Sequence, residues 1–254
     1  MATASPFSLD GRTALVTGAN TGIGQGIALA LAEAGAKVVA LGRSSMAETE
    51  KLIADAGGTC LSLQADLQQE GIAARVIEQA EALAGPLDIL VNNAGIIRRA
   101  DALDFSESDW DEVMNLNLKA NFFLAQAFAK AALTAGRGGR IVNIASLLSF
   151  QGGIRVASYT ASKSGLAGLT RLLACEWAGK GINVNAIAPG YVESNNTEAL
   201  RADPDRNAAI LARIPAGRWG KPSDIGGAAV FLASDAAAYI HGAILPVDGG
   251  WLAR

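Results

Sequence analysis

The chain has 254 residues, 50% of them hydrophobic, which is enough apolar surface for one large core or two small ones. Its formal net charge is −3, so no global basic field draws it to nucleic acid or an anionic membrane, and an anionic partner must be met by local charge. Its only cysteines, Cys60 and Cys175, lack metal-type spacing and fit buried free thiols, while a single histidine, His241, argues against a histidine-built metal site or triad. No uncharged apolar run is long enough to span a bilayer and MATASPFSLDGR lacks the apolar core of a signal peptide, so the expected compartment is the cytoplasm.

Asp10-Gly11 reads as a turn, and residues 13–16 as a short strand. The strand runs into Thr17-Gly18-Ala19-Asn20-Thr21-Gly22-Ile23-Gly24, which opens a helix expected to reach Ala34 and stop at Gly35. Strand, glycine-rich turn and helix N-terminus make a phosphate cradle, because glycines let the backbone approach and helix N–H groups face the anion. The glycine spacing, three intervening residues and then one, departs from the G-x-G-x-x-G of many dinucleotide folds.

Residues 37–41 read as the second strand, ending in Gly42-Arg43-Ser44-Ser45. No carboxylate stands there to accept from ribose hydroxyls; Arg43 is either a clamp for a 2′-phosphate or a solvated side chain beside a helix start. A helix over about 46–56 ends at Gly57-Gly58, and residues 59–63 form the third strand. Asp66 follows, either capping a helix over 67–84 or bonding an adenine edge. Residues 87–91 are the fourth strand, ending in Asn92-Asn93-Ala94-Gly95 where doubly wound sheets bind ligands. Ser106 then opens a helix to about Ala135 with a capping-box pattern to Asp109. Asn115, Asn117 and Asn121 interrupt its apolar pattern, and amides inside a core helix need partners.

Residues 140–145 form the fifth strand, with Ser146 at its carboxyl end. The Gly152-Gly153 loop leads to a helix from about Ala157 to Gly179, on which Tyr159 and Lys163, four residues apart, share a face. A phenol with a pKa of about 10 is a poor base at neutral pH; a nearby ammonium favours the phenolate, at about 1.4 kcal/mol per unit. Tyr159 could then take a proton from an alcohol or return it to a carbonyl while Ser146 holds the oxygen. Taken alone, the stretch also fits a surface helix with an ordinary Tyr and Lys. The sixth strand, 182–188, closes at Pro189-Gly190, and the polar stretch 191–205 reads as a lid or binding loop. Pro222 starts another helix with Ser223 and Asp224 in its first turn. A last strand, 243–247, precedes Asp248-Gly249-Gly250-Trp251. Strands and helices alternate without a linker or repeat, which predicts an α/β fold: one doubly wound Rossmann domain over 1–254 with about seven parallel strands flanked by helices.

With these residues in view, the whole chain resembles the short-chain dehydrogenase/reductase family. The resemblance rests on Thr17-Gly18 through Gly22-Ile23-Gly24, Asp66, Asn92-Asn93-Ala94-Gly95, Asn117, Ser146, Tyr159 with Lys163, and Pro189-Gly190. It implies an NAD(P)-dependent oxidoreductase acting on a CH–OH donor. It makes Tyr159 the acid/base, Lys163 the group that lowers its pKa and holds the nicotinamide ribose, Ser146 the holder of the substrate oxygen, and Asn117 the support of a water relay to Lys163. The implied cofactor residues are Gly18, Asn20, Thr21, Gly22, Ile23 and Gly24 in the turn, Arg43, Asp66 and Leu67, then Asn93, Ala94 and Gly95, then Tyr159 and Lys163, and finally Pro189, Gly190, Val192 and Ser194. Asp66 and Asn93 would meet the adenosine side and Ile23 the nicotinamide. Val192 and Ser194 would meet the carboxamide, where the family usually has Thr at the latter position. The implied cofactor is NAD, with NADP left open by Arg43.

NNAGIIRRADALDFSESDWDEVMNLNLK, SFQGGIRVASYTASKSG, APGYVESNNTEALRAD, RIPAGRWG and VDGGWLAR resemble the family's sugar-acid dehydrogenases of uronate (pectin and polyuronide) catabolism. That implies a small anionic sugar acid as substrate, and no metal. A carboxylate needs a cation and hydroxyls need hydrogen-bonding groups. Gln151 and Arg155 lie between Ser146 and Tyr159; Arg98 and Arg99 follow the fourth strand; Asn195, Asn196 and Arg201 lie on the long loop. The expected substrate contacts are Ser146, Gln151, Arg155 and Arg99, with Arg155 or Arg99 on the carboxylate. Two enzyme alternatives stay open, an NADPH-driven reductase of a related uronate and a 3-oxoacyl carrier-protein reductase, as does a catalytically silent dinucleotide sensor. The family is commonly tetrameric, which implies a homotetramer packing the helices over 106–135 and 157–179 together with the carboxyl-terminal region.

Overall fold

A computed structural model describes residues 5–254; the signal-peptide reading falls partly on residues 1–4, which lie outside it. The strands are β1 (Thr13–Thr17), β2 (Lys37–Gly42), β3 (Thr59–Gln64), β4 (Ile89–Asn92), β5 (Gly139–Ile144), β6 (Ile182–Pro189) and β7 (Ile244–Val247). They form one parallel sheet in the order β3-β2-β1-β4-β5-β6-β7. The order reverses between β1 and β4, so the connections leaving their carboxyl ends part and open a crevice there. Sequence reading placed the strands within two residues at each end because parallel strands covered on both faces are near-continuous apolar runs.

Alternation along the strands assigns side chains to two layers. Ala14, Val16, Val38 and Ala40 face one core with Ile27, Leu31, Ile225 and Leu232 of α1 (Gly22–Glu33) and α9 (Pro222–Ala233). Leu15, Val39 and Leu41 face the other, with Val76 of α3 (Ile72–Ala84), Leu124 and Phe128 of α5 (Asn121–Thr134) and Leu173 of α6 (Ala157–Trp177). Each of the larger side chains, fully buried, contributes roughly 1.5–3 kcal/mol. The remaining helices are α2 (Ala47–Asp55), α4 (Glu107–Met114), α7 (Glu198–Ala202) and α8 (Pro204–Leu211).

Four expectations change. The third helix starts at Ile72, not Leu67: Gly71, with φ +70°, is its N-cap, and Asp66 accepts from Gln68 N at 3.0 Å in a separate turn instead of capping it. The helix expected over 106–135 is α4 and α5 joined by a π-turn, Asn115–Ala120. Only the forward half of its capping box forms, with Asp109 N donating to Ser106 Oγ at 3.2 Å. The stretch 191–205 holds α7 and the start of α8, because Asp203 caps α8 through Asp205 N and Arg206 N. Of the two thiols expected to be buried, Cys60 is half-buried and Cys175 is exposed on the outer face of α6.

Candidate active site

The glycine turn after β1 is held from the far side of the crevice. Asn93, just past β4, donates its amide to Thr17 O at 2.9 Å and Gly18 O at 3.1 Å, while Thr17 Oγ1 accepts from Asn93 N and Ala94 N at 3.0 Å each. A Cβ built on Gly24 would stand 2.2 Å from Gly18 O and 2.4 Å from Asn93 Nδ2, so only glycine fits this close approach. Gly18 and Gly22 take φ of +63° and +57°. No side chain caps α1 at Thr21, which leaves its first N–H groups to a ligand. Ser194 reaches the same place, its Cβ 3.4 Å from a Cβ built on Gly22. Asn93 thus supports the cradle with its side chain.

Next to the turn lies a cleft of about 230 Å³ lined by Gly18, Asn20, Arg43, Asp66, Leu67, Ala94 and Gly95 among others. Asn20 donates to Ser44 Oγ at 3.0 Å, fixing the loop after β2. Arg43 is exposed, and no described residue forms an ion pair with it. Arg98 also lines the cleft but is bound to Glu112 at 2.7 Å. Cradle and cleft together fit a dinucleotide, with helix N–H groups for its phosphates and one unpaired cation beside the second strand. On the other side of the crevice, Gly190 N donates to Val247 O at 3.0 Å after Pro189, and buried Val192 bridges to Gly220. Ile23 is half-buried in the first turn of α1.

Ser146 follows β5, its Oγ accepting from Leu148 N at 3.2 Å. Lys163 is 3% exposed; its Nζ donates to Ile144 O and stands 5.6 Å from the centre of the Tyr159 ring. Strand end and helix face therefore bring Ser146, Tyr159 and Lys163 together as expected. Their electrostatics differ from expectation. Burial raises the Tyr159 phenol above its ordinary value, with the Ser146 hydroxyl and the Arg99 charge pulling it back. Burial also holds the Lys163 ammonium down to about 8. Lys163 aims its ammonium at a strand carbonyl, so the positive charge opposing the rise of the phenol is that of Arg99.

Asn117 lies in the π-turn with both ends of its amide on Ile96, accepting from Ile96 N and donating to Ile96 O at 2.9 Å each. It also donates to Ser162 Oγ at 3.4 Å, one residue from Lys163. Asn121 donates to Asn117 O at 2.7 Å, and Asn92 to Asn143 Oδ1 at 2.9 Å, so two of the three asparagines that broke the apolar pattern, Asn117 and Asn121, join a buried polar lattice under the site, while Asn115 is exposed. The expected arginines separate. Arg99 donates to Asn196 O at 3.0 Å and acts on the Tyr159 phenol. Arg155 has φ +63°, pairs with Asp101 at 3.4 Å and points outward with a side chain 59% exposed. Sequence reading passed over an aromatic wall on this side: Trp251 lies 4.7 Å from Tyr191, Tyr191 5.5 Å from Trp219, and Trp251 donates to Gln151 Oε1 at 3.2 Å. Its only signal was Tyr191 just after β6, Trp219 just before α9 and Trp251 just after β7. Among the described residues no cluster of three potential metal ligands occurs, and no helix is long and apolar enough to cross a membrane.

A family profile described as enoyl-(acyl carrier protein) reductase matches residues 18–252. The 2-dehydro-3-deoxy-D-gluconate 5-dehydrogenase of Escherichia coli strain K12 is 60% identical over 251 residues, covering 98% of this chain and 99% of that one. The enzyme of the same name from Dickeya dadantii is 58% identical over 248 residues, 98% of each chain. Among solved structures, a candidate 2-deoxy-D-gluconate 3-dehydrogenase from Agrobacterium tumefaciens with bound NADP superposes with a TM-score of 0.93, at 66% identity over 98% of this chain and 100% of that one.

Proposed function

The chain belongs to the short-chain dehydrogenase/reductase family, and on that premise we propose that it oxidises 2-dehydro-3-deoxy-D-gluconate at C5 with NAD(P), within uronate catabolism. The observation that carries the substrate is the 60% identity over nearly the full length to an enzyme named for that reaction. The site geometry agrees with it: an acid/base phenol, a hydroxyl beside it and a cation within electrostatic reach.

In this reading Ser146 hydrogen-bonds the C5 oxygen and Tyr159 Oη takes its proton. The bound nicotinamide dinucleotide supplies the hydride acceptor. Lys163 holds the ribose side, and Asn117 fixes the Ile96 segment against α6 and supports a water relay to Lys163. Arg99, held at Asn196 O, binds the substrate carboxylate; Arg155, paired outward with Asp101, serves the loop instead. Gly18, Asn20, Thr21, Gly22, Ile23 and Gly24 cradle the dinucleotide with Pro189, Gly190, Val192 and Ser194. Asp66, Leu67, Ala94 and Gly95 line its adenosine side, and Arg43 meets a 2′-phosphate if one is present. Phe123, 42% exposed on α5, and Leu172, 48% exposed on α6, support packing of these helices between the subunits of a cytoplasmic homotetramer built from single-domain chains.

The test is kcat/KM for oxidation of 2-dehydro-3-deoxy-D-gluconate with NAD and with NADP, on wild type, Arg99→Ala and Arg155→Ala. Wild-type turnover is expected, with KM raised about tenfold or more in Arg99→Ala and within twofold in Arg155→Ala. Turnover favouring NADP assigns Arg43 to the 2′-phosphate; turnover favouring NAD leaves it a bystander. Failure on this and related sugar acids with both nucleotides, while nucleotide still binds, would sink the reading in favour of a sensor.

A further inference from the structure

Gln151 has a partner chosen by chemistry. An indole N–H can only donate, so the Gln151 atom that meets Trp251 Nε1 at 3.2 Å must be the carbonyl oxygen. That settles which way the amide faces: its oxygen is turned to the indole and its NH2 away. The NH2 donates to no protein atom among the described residues. The indole itself is held hard. Trp251 is 3% exposed, packs on Tyr191 at 4.7 Å, and lies under the Arg213 guanidinium at 4.0 Å. A cation over the ring draws electron density from it and makes the N–H a better donor. Asp248 fixes the turn beneath, accepting from Gly250 N and Leu252 N at 2.9 Å each. Leu147, the residue after Ser146, belongs to the same buried cluster, so this wall is continuous with the catalytic loop.

We propose that Trp251 is a positioning residue that sets substrate specificity: by holding the Gln151 oxygen it commits the Gln151 NH2 to an acceptor oxygen of the substrate, the carboxylate or 2-keto oxygen of the sugar acid. The proposal rests on the sugar-acid reading above and deepens it. An amide free to flip serves a hydroxyl or a carboxylate equally; a locked one favours the group that only accepts. Arg99 supplies the charge on the acid and Gln151 the direction.

A double-mutant cycle with KM and kcat as readouts tests it, on Trp251→Phe, Gln151→Ala and the pair, with 2-dehydro-3-deoxy-D-gluconate. Trp251→Phe keeps the ring and loses only the N–H; KM should rise about fivefold with kcat within twofold. In the Gln151→Ala background the same change should leave KM unmoved, because Trp251 acts only through Gln151. An equal KM increase in both backgrounds would mean that Trp251 merely packs the wall, and would overturn the proposal. Should Trp251→Phe fail to fold, Gln151→Glu decides: it keeps an acceptor for the indole but removes the NH2 and adds a negative charge. KM is then expected to rise at least tenfold, and an unchanged KM would overturn the proposal. Sugar-acid turnover with unmoved KM values fells this inference alone, whereas absence of any wild-type turnover fells the functional reading and this inference with it.

Discussion

On the nucleotide side of the crevice, side chains hold backbone and backbone faces the ligand: Asn93 grips Thr17 and Gly18, Asn20 grips Ser44, and the helix N–H groups are left free. On the side proposed for the substrate the arrangement is inverted. Tyr159, Arg99 and Gln151 present side-chain groups, while Lys163 sits nearly desolvated with one carbonyl partner. A backbone cradle tolerates most changes except those that add an atom where chains touch. A side-chain constellation keeps its shape under most changes and loses function with one atom. The two halves should therefore fail differently.

The largest effect belongs to Tyr159→Phe. Removing one oxygen should lower kcat by about 10³-fold or more while the nucleotide Kd, read by fluorescence titration, stays within about twofold. A matching loss of nucleotide affinity would break the separation of the two halves. Next is Gly24→Ala, whose methyl would meet Gly18 O and Asn93 Nδ2 well inside contact distance. It should weaken nucleotide binding about tenfold or more and destabilise the fold by roughly 1–3 kcal/mol, with kcat at saturating nucleotide little changed. An unaltered Kd would show that the cradle is softer than its contacts suggest.

Last is the effect of Lys163→Met on stability, and its sign is opposite. A lysine held at about 8 from an ordinary 10.5 destabilises the folded state while charged. The unfolded chain binds the extra proton between those two values, so wild-type stability rises with pH across that window. The full span is about 3 kcal/mol, from which the loss of the bond to Ile144 O removes about 1. The variant, though inactive, should unfold at higher urea than wild type at pH 7, and its lead should shrink as pH rises from 8 to 10.5. A lead that grows over that range would show that the ammonium is better solvated than its burial implies.

Legibility in the sequence follows the same division. The strands, the glycine turn and the Ser146–Tyr159–Lys163 spacing were readable because apolar runs and i,i+4 geometry are local properties. The late start of α3 was not, since Asp66 forms its own turn with Gln68 and only Gly71 has the backbone to begin the helix. The π-turn showed itself as misplaced asparagines, but its extra residue per turn leaves no mark in side-chain pattern. Nor could spacing separate Arg99 from Arg155. What parts them is Asp101 on one side and Asn196 on the other, partners fixed only when distant loops meet.

The place of β1 between β2 and β4 has a consequence for the growing polypeptide. β1 pairs with β2 and β4, and the turn after it is stitched by Asn93, about 75 residues away. A nascent chain that has made only its first fifty residues owns the glycine loop but has nothing to hold it open. The loop acquires its shape when the fourth strand crosses back and docks, a long-range closure that comes slowly in folding. Dinucleotide can then be captured only after that docking, and its binding acts as a ratchet on a half-finished sheet, favouring completion over retreat.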